Sequence, residues 1–396
     1  MRFYMMNKTF FKRCLIYCCL LFFLPIVGIE EMYSKIFLIP ILRVACCFLS
    51  VLIYIKRKKV SSLMIIITFF CFFLSISTFI NRGDYVGAFY GQLYLIIGIC
   101  CFFEIQIKTN KMQFLICLYK YCFFLIILNF ISILVFPQGL YADIRGITET
   151  NYLLGNYNSF ICKILPALGV GYHLLQTGFI SKKNYGLLWL IVIATYLQVQ
   201  SVTSILGISI LGIFLLFFNN KVALIIFNAI FYSISTLYLS CFFIYSHTSV
   251  IFSFITNIAG KSSTLSGRTV LWDKIVKLLS KSPIFGFGVH SNADLIEYFG
   301  LNYAGHAHNF PLQVLFQTGI IGGVLSLTLV ILTINILLKT SFSPISRCYG
   351  CIYFSLFVML SADFYGYAMI FQIILLINFI CQDIYKDFKD IICSTG

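Results

Sequence analysis

The chain has 396 residues, 60% hydrophobic and only 10% charged, with a formal net charge of +15. A water-soluble protein of this length needs far more charge to cover its surface, so a soluble globular enzyme is excluded. The basic excess does not build a nucleic-acid-binding face either, because it sits in short clusters between apolar runs, as membrane topology requires.

Apolar runs long enough to cross about 30 Å of hydrocarbon recur from end to end. In chain order they predict an all-α polytopic membrane protein with twelve spans, at about 14–29, 36–55, 60–80, 86–105, 113–136, 158–179, 185–200, 202–218, 222–244, 310–338, 348–363 and 366–382. The pair around Ser201 has almost no turn between its members and also reads as a re-entrant hairpin, which lowers the number to ten or eleven. Arg2, Lys8, Lys12 and Arg13 precede the first run as in a signal peptide, but no small-residue cleavage site follows, so a retained first helix is expected. With both termini cytoplasmic, 17 of the 28 basic residues fall inside, among them Lys56 to Lys59, Lys108, Lys111, Lys182, Lys183, Lys221, Lys339, Arg347, Lys386 and Lys389. The short outer loops then carry only Lys35, Arg82 and Arg145.

The organisation expected is five helices over 1–136, an outer loop at 137–157, four helices over 158–244, a large outer loop at 245–309, and three helices with a cytoplasmic tail over 310–396. Both outer loops are longer than a connection needs, which points to function. In the second, Thr269 to Lys281 puts Leu271, Ile275 and Leu278 on one helical face and Lys274, Lys277 and Lys281 on another. This amphipathic helix before the tenth span suits a membrane surface with Trp272 at the interface, or else packing on the loop's own core. The sixteen cysteines lie in or beside apolar runs and read as small packing residues, the metal-like pair Cys348 and Cys351 included.

Arg43, Lys120 and Lys163 fall inside spans, where charge is costly and functional by default. Arg43 and Lys120 are candidates to line a cavity for a lipid diphosphate. Lys163, nearer a helix end, reads as snorkelling. Asp363, at the outer end of the eleventh span, is a possible partner for one of the three.

The polar residues with the most specific spacing close the second long loop. It offers Ser266-Gly267-Arg268, then Pro283 to Gly288, then His306-Ala307-His308-Asn309, and the following helix carries Gly319, Gly322 and Gly323. Asn309 is an expected N-cap with Pro311 in the first turn, so the positive helix end beside His308 suits a phosphate oxygen. Gly319 and Gly323, one turn apart, suit close approach of a neighbouring helix. His306 and His308 have a metal-pair spacing, but the nearby sequence offers no third ligand, so His306 reads as a neighbour only. His173, His247 and His290 read as ordinary.

His308-Asn309, nine residues, Gly319, two residues and Gly322 resemble the signature of the O-antigen ligase and O-antigen polymerase superfamily. Gly267-Arg268 with Trp272, and Ser282 to Gly288, are similar to it as well, so the resemblance covers roughly 260–325. It implies a glycosyltransferase of the bacterial inner membrane, its site facing the periplasm, that uses undecaprenyl-diphosphate-linked oligosaccharides as donor and acceptor. It implies no required metal or other cofactor, and a chain-length regulator protein as partner. The chemistry that the resemblance implies puts His308 as base and Arg268 as diphosphate clamp, with Arg145 in the other long loop as second choice for the clamp. Asn309 in the motif, and Arg43 and Lys120 by their place inside spans, are candidates for further substrate contact. The ligase branch usually carries a Ser-Arg or Thr-Arg pair at the outer end of an earlier helix. Gln200 to Ser204 has no arginine, which favours the polymerase branch over the ligase. A lipid-linked oligosaccharide flippase is the rival from another class, prompted by the intramembrane cations, but internal repeats are not evident.

Overall fold

The computed structural model describes residues 2–32, 38–141, 150–217, 228, 232–237, 240, 268–301 and 305–395. Arg145, His247, Lys221, Ser266, Gly267 and most of the ninth expected span lie outside the described residues. The described chain is almost wholly helical, and five helical stretches are long and apolar enough to cross a membrane: Ile39–Lys56, Ser62–Ile80, Tyr85–Val135, Phe310–Lys339 and Tyr367–Ile391. Val202–Leu216 and Pro344–Leu360 are shorter apolar helices. The protein is therefore a multi-pass, all-α membrane protein.

Two compact units share the chain, one built from residues 1–59 and 98–205, the other from 60–97 and 206–396. The first unit contains α1 (Arg2–Phe23), α2 (Val27–Met32), α3 (Leu38–Lys56), most of α6 (Tyr94–Val135), α7 (Ile161–Gln176) and α8 (Lys182–Val199). Pro25 follows the end of α1, which stops short of the expected span end because proline has no N–H to continue it. α3 leaves Phe48, Leu49, Leu52 and Ile53 exposed, the outward apolar face that a lipid environment requires.

The polar connector expected between 105 and 113 is mostly helical. The 51-residue stretch from Tyr85 is about 77 Å long at 1.5 Å per residue, too much for one crossing. It breaks only at Asn110, where the backbone leaves helical geometry (φ −142°, ψ 42°). Glu104 stays buried there because Tyr54 donates to it at 2.9 Å and Lys108 pairs with it one turn on.

The three intramembrane cations have different fates. Arg43 donates through Nε to the Phe22 carbonyl at 3.0 Å, tying α3 to the end of α1. Lys120 is exposed. Lys163 does not snorkel: it is buried in the first turn of α7, at 2% exposure. The expected loop at 137–157 ends in a two-stranded hairpin, β1 (Asn151–Tyr152) with β2 (Gly155–Asn156), held by Tyr152 Oη on Pro137 O and by Leu154 N on Asn129 Oδ1. The turn around Ser201 separates α8 from α9 (Val202–Phe217), with Gln200 in the left-handed region.

The second unit contains α4 (Ser62–Ile80), α5 (Tyr85–Ala88), α10 (Arg268–Leu279), α11 (Asn292–Phe299), α12 (Phe310–Lys339), α13 (Pro344–Leu360) and α14 (Tyr367–Thr395). α12 is its central helix, packed against α4, α10, α13 and α14. Phe70 of α4 meets Tyr367 and Phe371 of α14 edge-on at 5.0 and 5.3 Å. Four connections gather at one end of this unit. Asn81 Nδ2 reaches Gly286 O at 2.9 Å, Asp84 N reaches Val289 O at 2.8 Å, and Asn309 Nδ2 reaches Ser361 O at 2.8 Å.

The amphipathic helix α10 does not present its apolar face to lipid. Leu271, Trp272 and Ile275 are fully buried against Phe287, Leu295, Phe299, Ala307, Leu312 and Phe316. Trp272 Nε1 donates to Ala307 O at 2.8 Å rather than lying at a membrane interface. The reason is α11, which the apolar periodicity did not predict. Capped by a Ser291–Asp294 box and closed by Gly300 in the left-handed region, it folds back and supplies the cover.

Candidate functional site

The site is built where three chain segments meet at the head of α12. Asn309 caps that helix through Oδ1, which accepts Leu312 N at 3.0 Å, with Pro311 in the first turn. Its amide nitrogen is taken by Ser361 O, and the residue is fully buried. Asn309 fastens the head of α12 to the end of α13, and its burial keeps the side chain away from solvent. Ala307, just before it, is held from both sides: its N–H donates to Gln313 Oε1 at 2.7 Å and its carbonyl accepts Trp272.

His308 stands between these two anchors with φ +47°, a left-handed conformation rare for a residue with a Cβ. Strain of this kind persists only where the surroundings over-determine it. The imidazole Nδ1 lies 3.2 Å from Asp363 Oδ1, and the His306 ring packs on it with centroids 4.0 Å apart. The Phe364 N–H donates to the same carboxylate oxygen at 2.9 Å. An ionised carboxylate can only accept, so Nδ1 carries a proton, and in the neutral ring the lone pair is then on Nε2.

Arg268, the first residue of α10, hydrogen-bonds through Nη1 to Ala362 O and lies with Nη2 3.8 Å from Asp363 Oδ2. Among the described residues, this carbonyl and carboxylate are what hold the guanidinium. Burial by itself raises the Asp363 carboxyl. The hydrogen bond from His308, with Arg268 and the two imidazoles close by, outweighs that and holds it well below the usual carboxylate range. Asp363 is thus the common partner of His308 and Arg268. Its position, in the short loop after α13, makes it the residue that motif spacing missed. The available signal was scarcity: the chain has only 13 acidic residues, and this one sits at a helix end.

The motif glycines have a different task from close helix approach. α12 breaks at Gly319 (φ 59°, ψ −159°), and the loop from Pro283 to Gly288 fills the break. Phe287 N donates to Phe316 O at 2.6 Å, Gly288 N to Gln317 O at 2.9 Å, and Ile320 N to Pro283 O at 2.9 Å. A Cβ on Gly322 would fall 1.8 Å from the Thr318 hydroxyl, whereas one on Gly323 would meet only the end of the Leu315 side chain, at 2.9 Å. His290, read as ordinary, is buried against Phe287 O.

The arrangement offers an imidazole with one nitrogen fixed by a carboxylate, a guanidinium beside it with N–H groups to spare, and a helix N-terminus. That set can take a proton from a hydroxyl while neutralising a phosphate leaving group. The family model of O-antigen ligases (Wzy_C) matches residues 186–327, which span α8 to α12 and exclude Asp363. The exopolysaccharide production protein ExoQ of Rhizobium meliloti (strain 1021) is 36% identical over 84 residues, covering 19% of this chain and 19% of that protein. No solved structure matches the chain.

Proposed function

We propose that this chain, which carries a domain of the O-antigen ligase/polymerase superfamily, polymerises lipid-linked glycan repeat units on the outer face of the bacterial inner membrane. The observation that carries this reading is the His308–Asp363–Arg268 constellation at the head of α12. His308 Nε2 takes the proton of an acceptor sugar hydroxyl as that oxygen attacks the anomeric carbon of the donor. The bond from that carbon to the undecaprenyl diphosphate breaks, the diphosphate leaves with the electron pair, and Arg268 neutralises it. Asp363 and Asn309 act through His308, as positioning residues. Arg145, Arg43 and Lys120 stay candidates for contacts to the lipid diphosphate. The topology that goes with this reading has about twelve spans with both termini cytoplasmic, and a separate chain-length regulator as partner.

One observation favours polymerisation over transfer to lipid A–core. The turn at Gln200 to Ser204 has no arginine, and Ser201 there is buried on Asn158 and Ser204. Deletion of the gene in its own host, with surface glycan resolved by size, tests the choice. Loss of the ladder with single repeat units still on the core supports the polymerase; bare core with long lipid-linked polymer accumulating makes the protein a ligase.

Arg268→Lys keeps the charge but loses the planar fork, and Lys cannot serve both Ala362 O and Asp363 while gripping a diphosphate. Polymer formation by the complemented deletion strain should fall at least about tenfold. Wild-type polymer would mean that charge alone suffices.

A further inference from the structure

Metal-ligand spacing was incomplete in the sequence, because His306 and His308 had no third partner nearby. The fold supplies it. One donor atom each from His306, His308 and Asp363 lies within 4.8 Å of the other two. We infer that these three side chains form a zinc site, and that zinc bound there inhibits the enzyme by occupying its base.

The geometry is close to what zinc requires. Bonds of about 2.0–2.1 Å in a tetrahedron put neighbouring donors roughly 3.3 Å apart. His308 Nδ1 and Asp363 Oδ1 are already 3.2 Å apart, and a His306 ring nitrogen lies within 4.8 Å of both. His306 Nδ1 accepts the His308 N–H at 3.2 Å, which leaves Nε2 as its other ligand atom or requires that bond to be exchanged for the metal. Two imidazoles and one carboxylate are a borderline nitrogen and oxygen set, suited to zinc and its transition-metal neighbours rather than to magnesium or calcium. Three protein ligands leave a fourth position for water. Both histidines are partly exposed, which gives an ion a way in. The carboxylate also has the outer support typical of metal ligands: Phe364 N on Oδ1, and Arg268 beside Oδ2.

Inhibition follows from the same nitrogen. While Asp363 accepts from Nδ1–H, the Nε2 lone pair is free to take a proton. With Nδ1 on a metal, the neutral ring carries its proton on Nε2, so the base is lost. Binding is a property of the three side chains alone; the inhibition rests on the glycosyl-transfer reading.

The test uses full-length protein in nanodiscs, stripped with a chelator and titrated with zinc chloride by calorimetry. One site per chain is expected, with X-ray absorption showing a shell of nitrogen and oxygen that includes imidazole. His306→Gln and Asp363→Asn should each weaken it at least about tenfold, with melting curves checking that both remain folded. A sulfur shell, from the chain's many cysteines, or unchanged affinity in both variants would overturn the site. On wild-type protein, zinc at saturation should stop polymer formation from a synthetic lipid-linked repeat unit, and chelator should restore it. Full activity with the site occupied would overturn the inhibition. Because calorimetry needs no turnover, an inactive preparation that binds zinc normally would count for the site while counting against the polymerase reading.

Discussion

Asp363→Asn is expected to lower the turnover number of polymerisation by about 10²- to 10⁴-fold while leaving the protein in the membrane. The carboxylate accepts from His308 Nδ1 at 3.2 Å and so leaves the Nε2 lone pair available. An asparagine amide is nearly the same size but can turn its NH₂ toward the ring, which stabilises the opposite tautomer and puts the proton where the acceptor hydroxyl must deliver its own. His308→Ala removes the base outright and should abolish product. Arg268 also loses its ionic partner in Asp363→Asn, so a change in the KM for the lipid-linked donor is expected alongside. The informative quantity is therefore the split: a turnover defect far larger than the KM change marks Asp363 as orienting the base. Wild-type turnover in Asp363→Asn would remove Asp363 from the mechanism. Steady-state kinetics on a synthetic lipid-linked repeat unit gives both numbers.

What could be read ahead of the fold follows the range of the forces involved. Apolar runs and the cap at Asn309 are local, and they reappear as helices and as an Asn309 Oδ1 bond to Leu312 N. His308 and Arg268 stood out because their spacing to neighbouring residues is itself local. Asp363 reaches the site only because α12 and α13 run as neighbours, and its partner His308 is 55 residues away in sequence. No periodicity carries that information. The face formed by Leu271, Ile275 and Leu278 was legible as apolar, but the period of a helix says nothing about what covers it. The cover turned out to be protein, because the eight-residue α11 is too short for its own pattern to register. Asn110 was hidden for the opposite reason. Lys108 and Lys111 mark a polar connection by charge, yet nothing in a short polar segment prevents it from staying helical, and it does so through Thr109.

Gly319→Ala should be the most damaging substitution outside the charged groups, at about 4 kcal/mol or more, read as a loss of thermal stability in detergent together with loss of polymer. Its backbone (φ 59°, ψ −159°) lies in a region that is essentially glycine-only. A Cβ there would fall 2.2 Å from Ile284 O and 2.4 Å from its carbonyl carbon, both backbone atoms that cannot rotate away. Nor can the loop withdraw cheaply. The carbonyls of Phe316 and Gln317, which an unbroken helix would satisfy from Ile320 and Ile321, accept instead from Phe287 and Gly288. Pulling the loop back orphans those groups near the membrane, where each unsatisfied one costs several kcal/mol. The alternative is to heal the helix, and that shifts the register of Phe310 to Thr318 against α10 and so moves His308. Gly323→Ala is the matched control, since its Cβ would press only on the tip of Leu315, which can turn aside. If the two variants melt together and both make polymer, the break at Gly319 is dispensable and the head of α12 is positioned by its N-cap alone. If only Gly319→Ala fails, the glycine spacing of the motif reports a broken helix that aims His308.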